Sequence, residues 1–382
     1  MSVLLTLNAG SSSVKFSVYE VTAEPDLLVE GLVDGLGPEA RLILKPEDRA
    51  PLPLGPTDNA GAMSAILAAL APVLAGREVA GIGHRIVHGG PAFGAPVALT
   101  PEVLEQLRAF IPLAPLHQPH NLAMVTAAQA AFPSAIQIGC FDTAFHKGHP
   151  WVNDTFALPR RFYAEGVRRY GFHGLSYDFV TGHLRETEPD LAAGRIVIAH
   201  LGNGASMCAI RDGQSVGSSM GFSALDGLPM GTRCGQLDPG VLLYMLDQGL
   251  SPAEITALLY KESGLKGLSG ISHDMRTLLA SDAPEAAEAI DYYVFRIRRE
   301  LGAMSAVLGG LDGLVFCGGI GEHAAEIRAR VVDGMGYLGL TLDAEANSRD
   351  AGRISAGPVP VLVIPTDEER VIARAVARNL TG

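Results

Sequence analysis

The sequence predicts an α/β protein in which a partly parallel sheet occurs twice. Apolar runs of period two are mixed along the chain with apolar patterns of helical period, the signature of an α/β fold. The first strands follow one another as hairpins, so the sheet is not wholly parallel. Finally, IVIAHLGNGASMCAIRDG (196–213) repeats the plan of LLTLNAGSSSVKFSVYE (4–20): apolar strand, loop of Asn, Gly, Ala and Ser, second strand. Such a duplication points to two similar domains facing one another across a cleft.

In chain order, strands are expected near 3–7, 14–20, 28–34, 79–83, 136–141, 195–200, 206–211, 313–317 and 360–364. Helices are expected near 60–75, 101–110, 121–131, 176–186, 251–260, 285–308, 322–334 and 366–379. Residues 7–15, LNAGSSSVK, link the first two strands with a glycine, hydroxyls and a lysine, the ingredients of a phosphate loop. It is not a P-loop, because Val14 rather than glycine precedes Lys15 and VKFSVYE alternates as a strand. On its own the motif reads equally well as an ordinary Gly/Ser hairpin. The second copy at 200–206 favours phosphate, since two such loops can hold a nucleotide's phosphates from both sides. GLVFCGGIGEHAAEIR (313–328) adds a third junction, where small residues let backbone N–H groups approach an anionic or sugar-bearing ligand.

With 382 residues, 48% of them hydrophobic and 18% charged, the chain has room for two domains with large cores. Lys plus Arg number 29 against 41 Asp plus Glu, a net charge of −12 without basic runs, which argues against nucleic acid and anionic membrane as partners. No signal peptide is visible, and the most apolar helical stretch (62–75) is too short to span a bilayer and contains Pro72. Cys140, Cys208, Cys234 and Cys317 are far apart with no CxxC pair, which fits a reducing cytoplasm better than a zinc or disulfide framework.

Polar clusters mark strand ends and loops: HRIVHGG (84–90), APLHQPHNL (114–122), CFDTAFH (140–146), RRYGFHG (168–174), MGTRCGQLDP (230–239) and SHDMR (272–276). A lone histidine is more often a packed residue than a ligand, and Pro119 takes HQPH off any zinc-binding helix pattern. Arg85, inside apolar GIGHRIV, must find an anion, and Arg233 has the same look. Asp142 ends the buried run IQIGCF, where carboxylates commonly meet ligands; a turn or helix cap is the bland alternative.

Taken together, LNAGSSSVK, HRIVHGG, APLHQPHNL, FDTAFH, RRYGFHG, HLGNGAS, SMGFSALDGLPMGTRCGQLDP, SHDMR, GGIGEH and PTDEER resemble the acetate kinase family, in the family's order and from end to end. The resemblance implies two related ribonuclease H-like (actin-like ATPase) domains around a nucleotide cleft, with mixed sheets flanked by helices. The phosphate loop is then a β-hairpin. It implies an N-terminal domain of 1–148 plus 369–382, a C-terminal nucleotide-binding domain of 149–368, and a cytoplasmic homodimer.

The implied reaction is ATP + acetate ⇌ ADP + acetyl phosphate with Mg2+, for which Mn2+ can substitute. A carboxylate with a pKa near ~4 is already ionised at neutral pH, so the work is positioning and charge neutralisation rather than base catalysis. By resemblance, Arg85 binds the acetate carboxylate, and Arg233 and His173 stabilise the phosphoryl group in flight. Asp142 is the essential acid, organising Mg2+ and its waters or orienting an arginine, while Asn8 and Glu368 take the magnesium positions. Lys15, His200, Leu201, Gly202, Asn203, Gly204, Asp274, Met275, Arg276, Gly319, Ile320, Gly321, Glu322 and His323 take the nucleotide positions. Val87, Leu116 and Phe172 take the methyl pocket, with His117 beside it.

Departures from the family pattern are Ala224 for a common proline of that pocket, His323 for asparagine, and Leu175 and Tyr177 for threonine and histidine, besides Gln118, Gln236 and Asp367. Ala224 loosens the expectation of strict acetate selectivity, and His323 that of the nucleotide contact. A propionate or butyrate kinase would share every catalytic residue. An actin-like or chaperone-like ATPase without a small-molecule acceptor would have no use for Arg85 and the apolar pocket.

Overall fold

Val3, Leu4, Leu5, Thr6 and Leu7 are all buried, so the first strand is covered on both faces and sits at the centre of a sheet. The computed structural model describes residues 2–10, 12–45 and 50–381; Ser11, in the opening loop, lies outside the described residues. Around β1 (Ser2–Ala9) stand β2 (Ser13–Glu20), β3 (Leu27–Asp34), β4 (Gly37–Lys45), β5 (Leu52–Thr57), β6 (Glu78–Ile86), β7 (Val97–Ala98) and β8 (Ile136–Phe141). The strand order is β5-β4-β3-β2-β1-β6-β8-β7. β1 to β5 are antiparallel neighbours, whereas β1, β6 and β8 run parallel.

The strands β4, β5 and β7 are additional to those read from sequence. β5 (LPLGPT) carries two prolines and a glycine, which obscure a strand signal and are tolerated here because β5 is an edge. One sheet face joins Leu5, Leu7, Phe16 and Ile82 to Ile66 and Leu70 of the helix Asn59–Leu74 and to Met124 and Ala128 of the helix Gln118–Ala131. Gly81 and Gly83 alternate with Ile82 and so face the other way. The helix Glu368–Thr381 lies on them: a Cβ at Gly81 would stand 2.6 Å from Val376 Cγ1, and one at Gly83 would overlap Ile372.

A second sheet holds β9 (Arg195–Leu201), β10 (Ala205–Arg211), β11 (Gln214–Ser218), β12 (Gly313–Cys317) and β13 (Val361–Val363) in the order β11-β10-β9-β12-β13. β9, β10 and β11 are antiparallel neighbours, and β9, β12 and β13 are parallel. This is the arrangement of β3-β2-β1-β6-β8 repeated, and the sequence repeat at 4–20 and 196–213 falls on β1–β2 and β9–β10. The helix Pro284–Leu308 packs on β9 and β10. It buries Ile290, Tyr293, Val294, Ile297, Leu301 and Met304, which share one stripe at the i, i+3, i+4, i+7 spacing of a helix.

The expected helix 322–334 is two, Gly318–His323 and Ala325–Val332, the first beginning as β12 ends. The expected helix 251–260 is Pro252–Ala257 followed by a π-helical turn, Leu258–Glu262.

Packing divides the chain into Met1–Phe145 with Asp367–Gly382, and His146–Thr366. Glu368 therefore groups with the first unit, whereas the boundary read from sequence at 368/369 put it in the second. Among the described residues, no helix is long and apolar enough to cross a membrane.

Candidate active site

In the first unit, three parallel neighbours end at one edge of the sheet, each with a polar residue: Asn8 on β1, Arg85 on β6 and Asp142 directly after β8. Carboxyl ends of parallel strands are where α/β sheets place their ligands. Arg85 gives Nε to Asp142 Oδ1 (2.9 Å) and Nη2 to Asp142 Oδ2 (2.6 Å), a two-pronged pair, and Nη1 to Asn8 Oδ1 (3.2 Å). These bonds use three of the five guanidinium N–H groups, leaving one on each terminal nitrogen. Burial works against the Arg85 charge, but Asp142 and Glu368 outweigh it and raise its pKa.

Glu368 opens the helix Glu368–Thr381 and turns its carboxylate toward Arg85, 3.8 Å from Nε. Burial pushes the Glu368 carboxyl up to about 7; Asp142 and Glu369 add to the rise, and Arg85 and Lys15 oppose it. The cluster thus sets the carboxyl groups of Asp142, Glu368 and Glu369 against the cations Arg85 and Lys15. Its donors toward a ligand are oxygens, from Asn8, Asp142 and Glu368. Among the described residues, no three His, Cys, Asp or Glu side chains are grouped to cage a metal alone. Mg2+ does not need a cage: it keeps several waters and takes one or two carboxylates plus substrate phosphates, so these residues fit it.

Val87 and His88, just past β6, are pinned from the helix Gln118–Ala131. Asn121 Oδ1 accepts from Val87 N (2.9 Å), and its Nδ2 donates to the Ala9 carbonyl (2.6 Å). Gln118 accepts from His88 N and donates to the His88 carbonyl. Both side chains are buried, and the sequence reading did not give them roles. Their signal was present: Gln118 and Asn121 are polar positions among the buried Leu122, Met124 and Val125 of the same helix. Leu116 and His117 precede that helix, and Lys15 pairs with Asn8 across the β1–β2 hairpin.

In the second unit, His173 stands immediately before the helix Gly174–Thr187 with a left-handed backbone (φ 58°). For a non-glycine residue this costs roughly 1 kcal/mol or more and marks a position the surroundings must enforce. Its Nδ1 lies 2.8 Å from Ser206 Oγ on β10, and its ring stacks on His200 of β9 at 4.3 Å between centroids. His200 is set in turn by Ser176 Oγ, 2.8 Å from Nδ1. Arg233 donates through Nη1 to the Ala224 carbonyl (3.1 Å). The same Nη1 and His173 Nε2 both lie within 4 Å of where a Cβ at Gly204 would stand, so hairpin, histidine and arginine converge. Phe172 is buried beside His173, and Ala224 is half-buried.

A cavity of about 580 Å³ in this unit is lined by Gly202 and Asn203 of the hairpin, Asp274, Met275 and Arg276, and Gly319, Ile320 and His323. It also takes in His273, Leu279 and Ala324, which the sequence reading left out. Asp274 caps the helix Met275–Leu279 and grips the Arg276 guanidinium, and that hydrogen bonding holds its carboxyl down at about 2. Glu322 Oε1 accepts from Gly318 N (2.7 Å) and Thr366 N (3.2 Å), tying the start of the helix that follows β12 to the segment after β13. Arg328, fully buried, donates to the Gly321 and Glu322 carbonyls and fixes the rest of GIGEH. His323 is 72% exposed, 3.9 Å from both Glu322 and Asp350.

Two units of one topology, each with its polar residues at the carboxyl ends of parallel strands, define the ribonuclease H-like class of actin-like ATPase folds. Within that class the chain belongs to the Acetokinase family, whose profile matches residues 3–374. It is 55% identical to an acetate kinase of Methylocella silvestris, over 97% of this chain and 96% of that relative. The structure is similar to a crystal structure of Porphyromonas gingivalis acetate kinase, with 38% identity and a TM-score of 0.90 over the whole of both chains. It is also similar to that of a propionate kinase from Francisella tularensis, with 35% identity and a TM-score of 0.93 over 98% of this chain and 99% of that one.

Proposed function

We propose that the protein is an acetate kinase, transferring a phosphoryl group reversibly between ATP and acetate to give ADP and acetyl phosphate. The observation that carries this reading is Arg85. It is anchored along one edge by Asp142 and keeps an N–H on each terminal nitrogen for a second carboxylate. An acetate oxygen bonds to the γ-phosphorus as the bond to the β,γ-bridging oxygen breaks, and ADP leaves. Arg85 orients the carboxylate, Val87, Leu116 and His117 serve its methyl group, and Asp142 keeps Arg85 in place. Arg233 and His173 stabilise the charge on the equatorial oxygens, where a loose transition state spreads it.

The second unit carries the nucleotide: the hairpin His200–Gly204 and Gly319–His323 meet the phosphates and sugar, with Asp274, Met275 and Arg276 lining the same cavity. Mg2+, when bound, neutralises phosphate charge and fixes the triphosphate geometry. Asn8 and Glu368 would hold it, with Asp142 through water, and Mn2+ would fit the same oxygen donors. Cytoplasmic residence and a homodimer complete the reading, the latter to be checked by light scattering.

Trapping the acyl phosphate with hydroxylamine tests the core of the proposal. Acetyl hydroxamate should form only with ATP and Mg2+ present. Phosphate release from ATP with no hydroxamate from any short acid would point to an ATPase instead. A second reading, propionate as an alternative acceptor, is favoured by the similarity to the propionate kinase structure, and the same assay with propionate and butyrate separates the two.

A further inference from the structure

His173 adopts its left-handed turn without being glycine, so its neighbours must over-determine it. Two arms converge on the residue. The first acts on the backbone. His146 Nε2 lies 2.8 Å from the Phe172 carbonyl, which can only accept, so Nε2 carries the proton. Nδ1 of the neutral ring then accepts from Ser215 Oγ (2.8 Å), and Ser215 accepts from His149 Nε2 (2.7 Å). Burial, helped by His149, keeps His146 neutral by lowering its pKa to about 3. The ring also occupies the space a side chain at Gly171 (φ 77°) would need, 2.5 Å from where its Cβ would stand.

The second arm acts on the side chain. Tyr177 Oη is 2.5 Å from Ser206 Oγ, and Ser206 Oγ is 2.8 Å from His173 Nδ1. A phenol is a stronger acid than an aliphatic hydroxyl, so Tyr177 is the donor of the shorter bond. Ser206 is left with its own hydrogen to give to His173 Nδ1, and the neutral imidazole then carries its proton on Nε2. The two arms meet where the rings of His146 and Tyr177 pack edge to face, 5.5 Å apart and 76° inclined.

We propose that Tyr177 is a positioning residue for phosphoryl transfer, holding His173 through Ser206 with its proton on Nε2, and that His146 fixes the turn on which His173 stands. This rests on the role given to His173 above. An N–H aimed from a fixed ring can donate to a phosphoryl oxygen in the transition state; the other tautomer offers that oxygen only a lone pair.

The test is Tyr177→Phe in the full-length protein, which removes one oxygen and leaves the ring contact with His146. With 15N-labelled histidine, the His173 resonances are identified by their loss in His173→Gln. Wild type should show a bare Nδ1 and a protonated Nε2. In Tyr177→Phe, Ser206 is free to accept, and the proton should shift toward Nδ1. kcat should fall about tenfold, the scale of one lost hydrogen bond, with KM for ATP and acetate within about twofold.

Ser206→Ala should remove the same preference and serves if Tyr177→Phe does not fold. A wild-type tautomer pattern in both variants overturns the assignment whatever their activity. A shifted tautomer with wild-type kcat overturns the positioning role. Failure of wild type to make acetyl phosphate would sink the functional reading instead, and leaves the tautomer result to be judged on its own spectrum.

Discussion

In the proposed role Arg85 serves the substrate carboxylate while Asp142 and Glu368 of its own chain hold it, so losing Arg85 and losing its anchor should fail differently. Arg85→Ala should raise the acetate KM strongly, with kcat falling as positioning suffers. Asp142→Asn keeps the shape but halves the grip on the Nε–Nη2 edge. It should cost kcat more than it costs acetate binding. Arg233→Ala should lower kcat by ~10²–10³ with a small effect on acetate KM, because its interaction is made in the transition state. Steady-state kinetics with both substrates varied checks all three, and near wild-type constants in Arg85→Ala and Arg233→Ala would refute the chemistry.

Ala224 offers a finer test. Each methylene buried on binding is worth about 0.8 kcal/mol, so propionate should be used with kcat/KM within about tenfold of acetate. Ala224→Pro keeps the carbonyl that holds Arg233 and should widen the preference for acetate. An identical acetate-to-propionate ratio in both proteins counts against the idea. Arg85 was legible in the sequence because an arginine within an apolar strand has to meet an anion. That the first anion is Asp142 was only one of two readings, since nothing local joins residues so far apart in the chain.

The start of the helix Glu368–Thr381 shows what elements reveal that motifs do not. PTDEER left open whether Glu368 caps the helix or faces a ligand. Asp367 takes the capping role, its Oδ1 accepting from Arg370 N at 2.9 Å, while Glu368 turns toward Arg85. Asp367→Ala should therefore lose about 1 kcal/mol of stability with an unchanged magnesium requirement. Glu368→Gln should keep its stability and shift the magnesium titration of activity to higher concentration. Overlaid titrations for Glu368→Gln and wild type would end the metal assignment. Strands with buried runs, such as β1, β8, β9 and β12, were readable from apolar pattern alone. β5 and β11 were not: one is broken by prolines, the other is five residues with a single strong β-former.

Across the whole molecule, burial leaves His84, His88 and His149 with pKa values lowered to about 4, and His146 to about 3. A histidine depressed from ~6.5 adds stability that is fully present above ~6.5 and is lost as pH falls toward the folded value. Each contributes a slope of about 1.4 kcal/mol per pH unit over that window. Glu368, raised to about 7, works the other way: its share is present below ~4.3 and lost as pH rises to about 7. Four groups outweigh one, so thermal stability should drop steeply between pH 6.5 and 4.5, and His84→Gln should flatten the curve by one proton's share. A melting temperature constant over that range would contradict the assignment.

The seating of the helix Glu368–Thr381 on Gly81 and Gly83 also sets an order of events during synthesis. The ribosome releases the strands β1 to β8 first, yet the helix that covers one face of their sheet is translated only after all of His146–Thr366. The first unit to emerge is thus the last that can be completed. Its bare sheet face must wait, exposed to chaperones and to neighbouring nascent chains, while the second unit can already close upon itself.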